Sequence, residues 1–91
     1  MLPRRAIEHM DTAGWQHFVD VCRPQFASCE FQSELIAACA GLDDIACAAY
    51  YHLGSHSLAW LQSPVPALNG QPPFVLLSRG AGDAVRECLW R

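Results

Sequence analysis

Between Pro64 and Pro73 the chain places four prolines and an Asn69-Gly70 pair within ten positions, and this stretch limits the fold more than any other. Proline fixes φ and removes a backbone donor, so the segment can form neither a helix interior nor a central strand. Asn-Gly adds a turn signal. Val65 and Leu68 within it are apolar, which predicts an ordered loop: a disordered linker is more polar, and prolines reduce the entropy lost when a loop is fixed. The chain must therefore be built from short elements on either side of a stiff corner.

Those elements read as helices. Asp11 is the predicted N-cap of the first, with Met10 and Trp15 in staple positions. Trp15, Phe18, Val19 and Cys22 recur on one helical face, and Pro24 is expected to stop the helix. Ser28 is the predicted cap of a second helix, with Glu30 in its first turn and Phe31, Leu35, Ile36 and Cys39 as its buried stripe, ending at Gly41. Asp43 or Asp44 restarts a helix through Ile45, Ala48, Ala49 and His52, closed by Gly54. Ser55 is expected to cap a short helix carrying Leu58 and Leu61 beside Trp60, ended by Ser63-Pro64. Pro73 opens another through Phe74, Leu76 and Leu77, interrupted at Gly80 and Gly82. A last helix has Val85, Cys88 and Leu89 on one side, with Asp83 early and Arg86 and Arg91 late, as the macrodipole favours. The expected fold is all-α: a small compact bundle of five or six short helices with an ordered Pro-rich loop. Residues 1–41 form an N-terminal helical pair and 42–91 a second region of the same compact domain.

Composition bounds the function. With 52% hydrophobic and 16% charged residues the chain is suited to a packed globule. A 91-residue domain buries only about 60–70% of its unfolded surface, so some apolar surface is left for a partner. Nine acidic residues face six arginines and no lysine, for a net charge of −3, which argues against autonomous nucleic-acid binding. Met1-Leu2-Pro3-Arg4-Arg5 leads into Glu8 and Asp11 rather than an apolar stretch, so no secretory signal is read and a cytoplasmic location is expected. The longest apolar run, Leu35 to Leu42, falls short of the roughly 20 residues that span a bilayer. The five cysteines, Cys22, Cys29, Cys39, Cys47 and Cys88, are odd in number and lack zinc or redox spacing, so they read as small core residues.

No chemistry-bearing constellation emerges. His52 and His56 have the four-residue spacing of a helical metal pair, but a helix ending at Gly54 takes them off a shared face, and they read as surface histidines. His9 and His17 have no nucleophile nearby in sequence. Asp43-Asp44 reads as helix capping and Gly80-Ala81-Gly82 as a helix connector, since no lysine accompanies it. Tyr50 and Tyr51 face partly outward. The chain is expected not to be an enzyme and to need no cofactor or metal.

The run from Gly54 to Leu77 carries a Trp60-Leu61 pair ending a short helix, a nearby proline, a Pro66-Ala67-Leu68 turn with Gly70, Pro73 opening the next helix and a double leucine. It resembles the toxin-binding domain of Xre/MbcA/ParS-type antitoxins, and Gly82 to Leu89 sits where that family has its final helix. With the alanine-rich helix from Leu42, the likeness covers about half the chain. It implies binding and neutralisation of a RES-domain toxin, an enzyme that degrades NAD or uses it in ADP-ribosylation. It also implies a contact face of Asn69, Gly70 and Gln71 with Arg86, Glu87, Trp90 and Arg91 of the last helix. Trp60 and Arg79 are the aromatic and guanidinium types that anchor interfaces; Trp60 reads first as a core residue holding the loop.

Three features depart from the family's pattern. The forty or so residues before the likeness are expected to be too few and too acidic for its upstream helix-turn-helix domain. Gln71 stands where an arginine is usual, and the chain ends at Trp90-Arg91, short of the usual tail. The partner expected from the resemblance is a cognate protein toxin, bound without nucleic acid or membrane. Broad apolar stripes on the first two helices make a homodimer a further expectation. The alternative reading is a helical adaptor of the same fold that serves some other protein, for example in a phage or regulatory setting.

Overall fold

Helices this short do not hold themselves in water; packing must supply most of their stability. The computed structural model describes residues 12–90. It contains α1 (Thr12–Phe26), α2 (Gln32–Ala38), α3 (Asp43–Leu53), α4 (Ser57–Leu61), α5 (Pro73–Ser78) and α6 (Gly82–Trp90), with 3-10 turns at Gly54–His56 and Pro66–Leu68. The fold is all-α.

The central element is α3, where Ile45, Ala46, Cys47, Ala48 and Ala49 are all fully buried. Five buried residues in succession mean that the helix is covered on every side, and α1, α2, α4 and α6 all touch it. The alanines let neighbouring backbones approach. Trp15, Val19, Cys22 and Phe26 of α1 join Leu35, Leu61, Val65, Leu68, Leu77, Val85 and Leu89 in the same core, so residues before and after position 41 share one interior. No helix among the described residues is long and apolar enough to cross a membrane.

Local signals were overruled at several ends. Pro24 does not stop α1 but lies within its last turn. The ring leaves the Asp20 carbonyl without its helical donor, yet both residues are exposed to water, and burial of Phe26 and Cys29 draws the chain onward. Ser28 does not cap α2: its hydroxyl donates to the Gln25 carbonyl at 2.8 Å. The helix starts later, with Phe31 as N-cap and Glu34, not Glu30, in its first turn. The Gln32 side-chain amide donates to the Phe26 carbonyl at 2.8 Å and fixes the turn. Beyond α2, Ala40 (φ 59°) and Gly41 (φ 85°) both turn left-handed, and the Gly41 N–H donates to the Ile36 carbonyl at 2.9 Å. Ser55 is likewise no cap. Ser57 is the buried hydroxyl, donating to the Gly54 carbonyl at 2.8 Å across the 3-10 turn. The Asp11 cap and its Met10 staple partner, like His9, lie outside the described residues.

Cys22, Cys29, Cys39 and Cys47 are buried free thiols and Cys88 is half-buried. Burial, aided by Cys47, pushes the Cys22 thiol up to about 11. Burial, aided by Asp44, pushes Cys39 to about 12. At neutral pH Cys22 and Cys39 are protonated packing groups, not nucleophiles.

Candidate functional site

The corner after α4 is built on two apolar feet. Val65 and Leu68 are buried, while Pro66, Ala67, Asn69 and Gly70 between and beyond them are exposed. Pro66–Leu68 forms a 3-10 turn that packs against α6. Asn69 (φ 59°) and Gly70 (φ 77°) then reverse the chain in left-handed geometry, which asparagine tolerates and glycine favours. Val65 and Gln71 close the corner as a single antiparallel bridge among the described residues. Pro72 is extended and Pro73 opens α5 at the position where its missing N–H is harmless. The loop is thus ordered, with its tip turned to solvent.

Gln71, in the contact face expected from the sequence, is half-buried, and its side-chain carbonyl oxygen is shut from water without a hydrogen-bond partner among the described residues. A buried acceptor left unmatched costs about 1–3 kcal/mol. Gln71→Met, which keeps the length and removes the polar atom, should therefore raise the unfolding free energy by about 1 kcal/mol in urea titrations. No change or a loss would mean that the oxygen is satisfied in solution.

Arg86 is placed differently from the expectation. It points into the molecule, where its Nε donates to Asp44 Oδ2 at 2.7 Å and its Nη2 to Asp44 Oδ1 at 3.4 Å. Its Nη1 donates to Asp83 Oδ1 at 2.9 Å, and Trp15 Nε1 donates to the same Asp44 Oδ2 at 2.9 Å. Asp44 is therefore more than a complement to the helix dipole: it joins α1, α3 and α6. Neither Asp43 nor Asp44 is the N-cap of α3, which is Leu42. Burial alone would raise the Asp44 carboxyl, but bonds from Arg86 and Trp15 and the Arg86 charge outweigh it and hold the group below its ordinary value of 3.8. Asp43 stays exposed, 3.4 Å from Arg23. Nothing in the local sequence marks Asp44 as shared; only its position just before a fully buried run hints at it.

The other expected contact residues divide by exposure. Arg79, Asn69 and Gly70 are exposed, and Glu87 is half-buried. Trp90 is 40% exposed, with its ring 6.1 Å from Trp15 and 5.6 Å from Phe18 in edge contacts. Arg91 lies outside the described residues. Trp60 packs half-buried against the core and lines a shallow depression of about 290 Å³ with His52, Leu53, Cys88 and Leu89. It supports both the loop and a piece of surface.

An aromatic cluster that the sequence reading did not assemble lies where α1, α3 and α6 meet. Phe18 packs edge-on against Tyr51 (5.7 Å) and lies 5.6 Å from His52. His52 Nε2 is 2.9 Å from the Leu89 carbonyl oxygen; because a carbonyl only accepts, that nitrogen carries a proton. His56 sits apart in the 3-10 turn and is exposed. Among the described residues no group of three or more histidine, cysteine or acidic side chains could hold a metal. A second groove, of about 450 Å³, runs between Ala37, Ala38 and Ala40 on one side and Gln62, Phe74 and Ser78 on the other. The hydroxyls of Ser57, Ser63 and Ser78 each donate to a carbonyl three or four residues back, which leaves them structural. Compared with known protein families, curated proteins and solved structures, the chain matches none.

Proposed function

We propose that this chain is a non-catalytic protein-binding module that neutralises its partner by covering it, in the manner of an antitoxin or immunity protein against a RES-type toxin. The observation that carries the reading is the corner between Pro64 and Pro73, which stands ordered on Val65 and Leu68 with Pro66, Ala67, Asn69 and Gly70 outward. A surface already fixed by prolines and short-range hydrogen bonds loses little entropy on docking. Its recognition of a RES-type toxin rests on the resemblance over Gly54–Leu77 and Gly82–Leu89. The exposed ring of Trp90 adds an aromatic of the kind that dominates interface energies.

Co-expression with the product of the adjacent gene, followed by affinity capture and an NAD-consumption assay, tests the reading. The expected result is a stable complex in which NAD turnover is suppressed. Full NAD consumption in the presence of excess chain would overturn inhibition, and capture of an unrelated protein would favour the adaptor alternative.

A further inference from the structure

The corner has an unbalanced hydrogen-bonding surface, and the imbalance follows from its sequence. Four of its ten residues are prolines, which have no N–H. Six amides remain, and five are used inside the loop. Val65 donates to Gln71, Leu68 and Gly70 to Val65, Asn69 to Pro66, and Gln71 to Leu68, at 2.9–3.3 Å. The carbonyls of Ala67, Asn69 and Gly70, all on exposed residues, accept no hydrogen bond among the described residues. The Asn69 carboxamide adds both an acceptor oxygen and a donor NH2 at the tip. The backbone of the corner's outward face therefore offers more acceptors, three carbonyls, than donors, the Ala67 N–H.

Charge points the same way. From Ser57 to Ser78 no side chain is acidic or basic, so no cation of the corner's own segment serves these carbonyls. Over residues 12–90 seven carboxylates face three guanidiniums, and two of those three, Arg23 and Arg86, are already held by carboxylates. A negative field of this kind draws cationic surfaces towards the molecule.

Building on the reading of the chain as a binding module, we infer that the corner docks against a basic surface of its protein partner, with arginine side chains donating to the Ala67, Asn69 and Gly70 carbonyls. The guanidinium fork carries five donors and no acceptor, the complement of this face. The carbonyls are fixed before the partner arrives, so the match requires no reordering of the loop.

The test is an amide chemical-shift titration of the full chain with an acetylated, amidated pentapeptide alternating arginine and glycine. A glutamate-glycine peptide of the same length is the control. Saturable shifts are expected at Ala67, Asn69, Gly70 and Gln71 with the arginine peptide only. Asn69→Asp, which tolerates the same left-handed backbone and adds a charge, should tighten binding about threefold. Glu34→Gln, on α2, should bind like the parent chain. Absence of shifts, shifts centred on Glu30 and Glu34 that Glu34→Gln abolishes, or equal binding of the acidic peptide would each overturn the inference. Capture of a protein partner while no corner amide responds to arginine would overturn this inference alone and leave the binding-module reading standing.

Discussion

Asp44→Ala lowers the unfolding free energy by about 3 kcal/mol, read as a shift in the urea midpoint. The substitution removes the more buried of the two carboxylates that pair with the Arg86 guanidinium, which is only 21% exposed, and leaves it the exposed Asp83 alone. It also leaves the Trp15 indole N–H without its acceptor. Removing one member of a largely buried pair costs far more than the pair adds over a hydrophobic replacement, because the survivor stays desolvated and unmatched. Asp44→Asn retains an oxygen for Trp15 but gives up the charge, so its loss should be smaller. The two variants separate the electrostatic contribution from the hydrogen bond. A change under about 0.5 kcal/mol for Asp44→Ala, the size of an ordinary surface substitution, would show that the clamp is open in solution.

The same group sets a pH dependence. Arg86 and Trp15 hold the folded Asp44 carboxyl below 3.8 against the opposing effect of burial, so near that pH the unfolded chain binds more protons at this site than the folded one. Stability from Asp44 is therefore complete above the unfolded value and is lost as pH falls through the lower folded value. In acid titrations followed by tryptophan fluorescence, the parent chain should lose stability below about pH 3.8, and Asp44→Asn should show a shallower loss over that window.

The second large effect is expected at the very next residue. Ile45→Ala removes a fully buried side chain from the middle of the bundle and should cost about 3 kcal/mol, combining lost transfer energy with the cavity left behind. Ile45 lies under the start of α6: a Cβ built on Gly82 would sit 3.6 Å from its Cδ1. A three-carbon hole there also loosens the seat of the last helix. The urea midpoint should fall with an unchanged slope. A loss below 1 kcal/mol would mean that the site collapses around the smaller residue.

Reading the chain without coordinates succeeds where one signal acts alone. The apolar spacing of Trp15, Val19, Cys22, Leu35, Leu61, Leu77, Val85 and Leu89 is the spacing of the observed core. Val65 and Leu68 give away the order of the corner because apolar residues in a proline-rich stretch need somewhere to be buried. The failures are residues with two competing partners. Ser28 and Ser55 are good caps in isolation, but Ser28 binds a carbonyl of the preceding turn and Ser57 takes the buried position in the next. Pro24 is a good helix stop in isolation, and burial of Phe26 two residues later outweighs it. Of the expected contact face, the exposed tip at Asn69 and Gly70 is legible from turn chemistry, which is local. Arg86 is not, because the carboxylate that claims it lies 42 residues away.

Because Trp15 and Arg86 reach for one oxygen of Asp44, loss of either weakens what the other gains there, and the two losses should not add. The first described helix and the last are thus thermodynamic neighbours. Denaturant should melt them in one concerted step, with no half-open species in which the terminal helix has peeled away.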